Sequence, residues 1–149
     1  MKSKLNEYEK LAGLICELTR CCSQKEEFFA ASFNLSPTEV RLLMLFSFES
    51  TYSIKQLREQ LSLTPGRITH IVDSLEKKKL VERYQDENDK RNYFVKTMPK
   101  ANIFIHNLKE NYIQLHQNLL SNVNQEELDK IFSSMEILVD TFKQWTKDK

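Results

Sequence analysis

Glycine is scarce in this chain, 2 of 149 residues, and proline is held to 3. A β-sandwich or barrel needs turn residues roughly every 8–12 positions, so the scarcity argues against loop-rich all-β folds and favours long helices with short connections. No charge sign dominates: 22 Lys and Arg stand against 21 Asp and Glu, a net of +1. Whole-chain charge therefore does not announce a polyanion binder. No run approaches about 18 uncharged apolar residues, so no membrane span is expected. Cysteine is absent after Cys22. Cys16, Cys21 and Cys22 form an odd, clustered set behind a charged start with no apolar leader, which reads as reduced thiols of a cytoplasmic protein, not a disulfide framework.

What is present is helical periodicity. Leu5, Tyr8, Leu11, Ala12, Ile15, Leu18 and Cys22 recur at steps of three and four, an amphipathic helix weakened only by Gly13, and Phe28, Phe29 and Phe33 extend the apolar face. Ser36-Pro37-Thr38-Glu39 is a capping box with proline at the first helical position. The helix it opens is apolar nearly all round and predicted buried, ending near Glu49. A polar link, Ser50-Thr51-Tyr52, leads to a second box, Ser53 to Gln56, and a brief helix with Ile54, Leu57 and Leu61 inward. Thr64 and Pro65 start a further helix to about Lys78, with Ile68, Ile71, Val72 and Leu75 on one face. Leu80 to Tyr84 and Tyr93 to Val95 read as two strands around a polar tip, where Asn88 and Asp89 are the residues best suited to a left-handed conformation. Two long amphipathic helices follow, from about Ala101 and from the box Asn124–Glu127.

Two short helices joined by a tight turn, the second polar on its outer face, form a helix-turn-helix, and the polar hairpin behind them makes it winged. Charge agrees locally: residues 53–100 hold 11 Lys/Arg against 7 Asp/Glu, a net of +4, and the remainder carries −3. A helix N-terminus offers free amides and a positive dipole end to a phosphate, short polar side chains reach base edges, and a hairpin can lay an arginine over the neighbouring minor groove. The candidate DNA-binding residues are Ser53, Thr64, Pro65, Gly66, Arg67, Thr69, His70 and Ser74, with Arg83, Asp89, Lys90 and Arg91 on the hairpin. Gly66 lets backbone approach closely, and Asp89 is placed to orient Arg91.

The run from Leu35 to Ala101 resembles the MarR family of winged helix-turn-helix regulators. The likeness rests on Leu35-Ser36-Pro37-Thr38-Glu39; on Ile54, Leu57 and Leu61 to Leu63; on Ile68 to Lys78; on Leu80-Val81-Glu82-Arg83; and on Asp89-Lys90-Arg91 with Thr97 to Lys100. Lys79 and Ala101 stand where the family usually has glycine, and His70 and Ser74 where it is commonly basic. The resemblance implies a mainly α fold with a small β-hairpin wing: a single 149-residue domain, its DNA-binding lobe over 36–100 and its dimerisation lobe over 1–35 and 101–149. It further implies a homodimer reading a pseudo-palindromic double-stranded operator, more often as repressor than activator, released by a small aromatic or anionic effector or by thiol oxidation. Independently, the helices after Ala101 carry more apolar surface than a winged core can cover, which a second copy would bury.

By the same resemblance Cys21 and Cys22, near Arg20 and Lys25, are the candidate redox-sensing thiols, and Cys16 lies on the apolar side as core. His70, His106 and His116 are scattered and no Cys/His pair has ligand spacing, so neither metal nor cofactor is expected. There is no nucleotide loop, no Ser–His–Asp layout and no paired acidic site, so an enzyme is not expected. Two other classes stay open: a thiol redox protein using the early cysteines, which lack a C-x-x-C, and a helical protein–protein adaptor.

Overall fold

The computed structural model describes residues 2–149, with side chains from residue 3. In chain order the elements are α1 (Lys2–Ser32), α2 (Pro37–Leu45), β1 (Thr51–Ser53), α3 (Ile54–Leu61), α4 (Pro65–Lys77), β2 (Val81–Gln85), β3 (Tyr93–Thr97), α5 (Ala101–Leu119) and α6 (Gln125–Lys147). They fall into two compact units, Met1–Asn111 and Tyr112–Lys149, the division passing through α5.

The first unit holds the core. Leu42 and Leu43 of α2, Leu57 of α3, Ile68, Val72 and Leu75 of α4, Val81, Val95 and Leu108 are fully buried. Each helix start follows its local sequence. Ser36 Oγ accepts from the Glu39 N–H at 3.2 Å, and Glu39 Oε2 accepts from the Ser36 N–H at 2.9 Å. Ser53 and Gln56 reciprocate in the same way, at 3.0 and 2.8 Å.

The helix ends supply what the missing glycines would have supplied. Asn34, Ser62 and Lys79 have φ of 56°, 53° and 60°. After each comes a leucine whose N–H reaches back five residues: Leu35 to the Ala30 carbonyl, Leu63 to Arg58 and Leu80 to Leu75, all at 3.0 Å. These are Schellman closures built on non-glycine residues. A left-handed L-residue costs of order 1 kcal/mol or more, and Lys79 is exposed with its side chain free of the core. Lys79→Gly is therefore expected to raise stability by about 0.5–1 kcal/mol after the entropy cost of glycine is deducted, read as a higher urea midpoint at unchanged m.

Three expectations are corrected. The link at Ser50–Tyr52 conceals a strand: β1 pairs antiparallel with β3 (Thr51↔Lys96, Tyr52↔Val95, Ser53↔Phe94), giving a three-stranded sheet of order β1-β3-β2. The helix α2 stops at Leu45, not near Glu49, because the Tyr52 hydroxyl donates to the Leu45 carbonyl at 2.8 Å, and the chain turns there through Phe46 to Phe48. Phe48 consequently sits 81% exposed, outside the core. At the hairpin tip, neither Asn88 nor Asp89 is left-handed; the only positive-φ residues among those described are Asn34, Ser62 and Lys79. Instead Asp86 Oδ1 accepts from the Asn88 N–H (3.0 Å) and Asp89 Oδ1 from the Arg91 N–H (3.1 Å). These Asx turns bend the chain without a positive φ.

Much apolar surface has no cover within the chain. α1 buries only Phe29 and Ala30 near its end, while Leu5, Tyr8, Leu11, Leu14 and Leu18 stay exposed. In the second unit, Asn124 and Glu127 cap α6 reciprocally. None of its residues is buried, and Ile131, Met135, Val139, Phe142 and Trp145 form an exposed stripe at helical spacing.

Candidate nucleic-acid interface

α3, the turn at Ser62–Leu63 and α4 form the helix-turn-helix. Thr64 Oγ1 caps α4 by accepting from the Arg67 N–H at 3.3 Å, and Pro65 takes the first helical position. With Ile68, Ile71, Val72 and Leu75 turned into the core, Thr64, Pro65, Gly66, Arg67, Thr69 and His70 are exposed. A Cβ placed on Gly66 would meet nothing within 4 Å, so nothing in the fold requires glycine there. Thr69 donates its hydroxyl to the Pro65 carbonyl at 3.0 Å, which leaves the oxygen lone pairs facing outward as acceptors.

β2, β3 and the seven-residue tip place the wing beside this surface. A cleft of about 780 Å³ opens between them, lined among others by Ser53, Lys55, Arg58, Pro65, Thr69, Arg83 and Arg91, with no carboxylate in its wall. The carboxylates of Glu59, Asp73 and Asp89, paired with Lys55, Arg83 and Arg91 from outside the wall, offset part of that positive charge. The Arg91 side chain is 90% exposed, and its Nε donates to Asp89 Oδ1 at 3.1 Å. That side-chain bond, with the Arg91 backbone N–H, holds the Asp89 carboxyl below its usual range. Lys90 is exposed next to it.

Two expected contact residues are placed differently. The Ser74 side chain is not outward: it is half-buried and donates to Glu39 Oε1 of α2. Arg83 lines the cleft, but its guanidinium is taken by Asp73 and Glu76 of α4, the latter at 3.3 Å. Lys55 and Arg58 went unnoticed in the sequence, although their i,i+3 spacing opposite Leu57 marks them as one outward face of α3.

Glu39 is 4% exposed, the one buried charged residue among those described. Lys78 Nζ donates to Glu39 Oε2 at 2.8 Å and to the Asn34 carbonyl at 2.9 Å. Burial alone pushes the Glu39 carboxyl up, but the bonds from Lys78, Ser74 and the Ser36 N–H outweigh it and hold the group below its ordinary value.

The early cysteines lie on α1. Cys21 is exposed, with Arg20 Nη2 at 4.0 Å from its sulfur, and Cys22 is half-buried. Cys16 is exposed too, so its expected place in the core is corrected: Leu14 and Leu18 on the same stretch of α1 are exposed as well. Among the aromatic residues, Phe33 contacts Phe29 and Phe104, Phe46 contacts Tyr52, and Phe28 is exposed like Phe48.

Residues 35–93 match the model of the MarR family. The uncharacterized HTH-type transcriptional regulator YkoM of Bacillus subtilis is 25% identical over 96 residues, 64% of this chain and 62% of that protein. The HTH-type transcriptional regulator MhqR of the same organism is 26% identical over 95 residues, again 64% of this chain and 66% of the relative. The chain thus spans under two thirds of the length of both. Among solved structures, Streptococcus pneumoniae FabT in complex with DNA superposes with a TM-score of 0.76 at 16% identity, over 93% of this chain and 99% of that one, a likeness of fold.

Proposed function

Residues 35–93 match the model of the MarR family, and from that match we propose that the protein is a MarR-type, sequence-specific transcriptional regulator that binds double-stranded DNA as a homodimer. The observation that carries this reading is the cation-walled cleft between the N-terminal turn of α4 and the wing. The free amides of α4 and its dipole receive a phosphate, Arg67, Thr69 and His70 meet base edges in the major groove, and Arg91 reaches the flanking minor groove from the wing. That FabT, which shares the fold, was crystallised in complex with DNA supports DNA as the partner.

The uncovered stripes on α1 and α6 support assembly with a second copy, which would bury them and set two α4 helices against a pseudo-palindromic site. Such a dimer represses by occluding a promoter and lets go when the spacing of its two reading helices changes. A small aromatic or anionic effector, or oxidation of Cys21 or Cys22, supplies that change.

The test is a titration of upstream intergenic duplex at several stated salt concentrations. Arg91→Ala is expected to fold normally, to bind several-fold more weakly, and to reduce the log–log salt slope by about one. Unchanged affinity and slope remove the wing from the interface, and absence of any preference over random duplex removes the regulator reading.

A further inference from the structure

The apolar face of α4 keeps the helix in the core but not at one angle, because hydrophobic contact is non-directional. Hydrogen bonds are directional, and α4 has two sets of them near its C-terminal half. Ser74 donates to Glu39, which is itself fixed on the Ser36 N–H at 2.9 Å and on Lys78 at 2.8 Å. Asp73 accepts from Arg83 on β2, whose guanidinium also meets Glu76 at 3.3 Å. Asp73 and Ser74 are neighbours, about 100° apart around the helix, and they are drawn to different elements, the wing and α2. Turning α4 about its axis moves Ser74 relative to α2 and Asp73 relative to β2, so it disturbs both tethers.

We propose that Asp73 and Ser74 are positioning residues, a pair of tethers that fix the rotation of α4 about its own axis and so decide which side chains confront the duplex. The proposal rests on the DNA-binding reading and deepens it: neither residue need touch DNA, yet both govern how Arg67, Thr69 and His70 meet it. Base readout is sensitive to errors of about 0.5 Å or 10–20° in such side chains.

Ser74→Ala and Asp73→Ala, checked for folding by urea unfolding, test it on a duplex selected by the wild-type protein. Each is expected to reduce discrimination against random duplex about tenfold, with the loss spread over all the base pairs that α4 reads and the salt slope unchanged. Ser74→Thr, which keeps the hydroxyl, restores discrimination. Loss confined to one base pair makes Ser74 a direct contact and overturns the proposal, as does full discrimination in both alanine variants. Amide spectra of the free protein keep the question separate from DNA binding. Both substitutions are expected to shift the amides of residues 66–70, and spectra unchanged there overturn the proposal whether or not any duplex is bound.

Discussion

Glu39→Ala is expected to lower the free energy of unfolding by about 2–3 kcal/mol, below the cost of breaking a fully buried ion pair because the Lys78 side chain stays 33% exposed. The loss exceeds that of an exposed pair because Glu39 is 4% exposed and serves three elements at once. It completes the capping box of α2, it holds Ser74 of α4, and it accepts from Lys78, whose ammonium also closes on the Asn34 carbonyl after α1. Without the carboxylate, Lys78 keeps one carbonyl and the Ser74 hydroxyl loses its acceptor. The pH dependence has a defined sign. Since the folded carboxyl sits below its ordinary value of 4.5, its stabilisation is present above that value and is lost as pH falls through the folded pKa. Urea unfolding of wild type and variant at pH 7 and at successively lower pH should show the gap narrowing only below about pH 4.5. A gap that is small at pH 7, or that is constant with pH, assigns Glu39 no more than a local capping role.

The second large effect is on assembly. Met135→Glu together with Phe142→Glu places two charges on the α6 stripe, at positions where the isolated chain exposes both side chains. The single chain therefore loses little stability, whereas a dimer built on that stripe must bury two unpaired carboxylates per subunit, at several kcal/mol in total. The mass in solution is expected to fall to that of one 17.7 kDa chain. Operator affinity should fall at least a hundredfold, because half-sites are then bound singly; each 1.4 kcal/mol lost is about tenfold. Light scattering and the duplex titration check both, and a two-chain mass in the variant moves the interface off α6.

Much of this architecture was legible because its causes are local. A cap is decided within three residues, and Ser36–Glu39, Ser53–Gln56, Thr64–Pro65 and Asn124–Glu127 all start helices as their sequences predict. The wing strands and the exposed outer face from Thr64 to His70 were legible for the same reason. What escaped depends on distant partners. β1 has three residues, and its only pairing partner lies about forty positions further on. Ser74 lies at the border of the polar arc, and only Glu39, 35 residues away, decides where its hydroxyl goes. Cys16 looked internal because periodicity identifies an apolar face without saying whether anything packs on it. Three helices close on Asn34, Ser62 and Lys79, of which only Lys79 stands where the resemblance marks a missing glycine; the other two carry no such local sign.

The strand order β1-β3-β2 has a further consequence. The returning leg of the hairpin is the middle strand, bonded on both flanks, while the outgoing leg is bonded on one. The frame is thus anchored independently of the tip, whose bends are made by its own aspartates. Residues 86–92 can lengthen, shorten or trade charges without disturbing the layer beneath them. Evolution or an engineer can retarget the reach of this loop at little expense to the rest of the molecule.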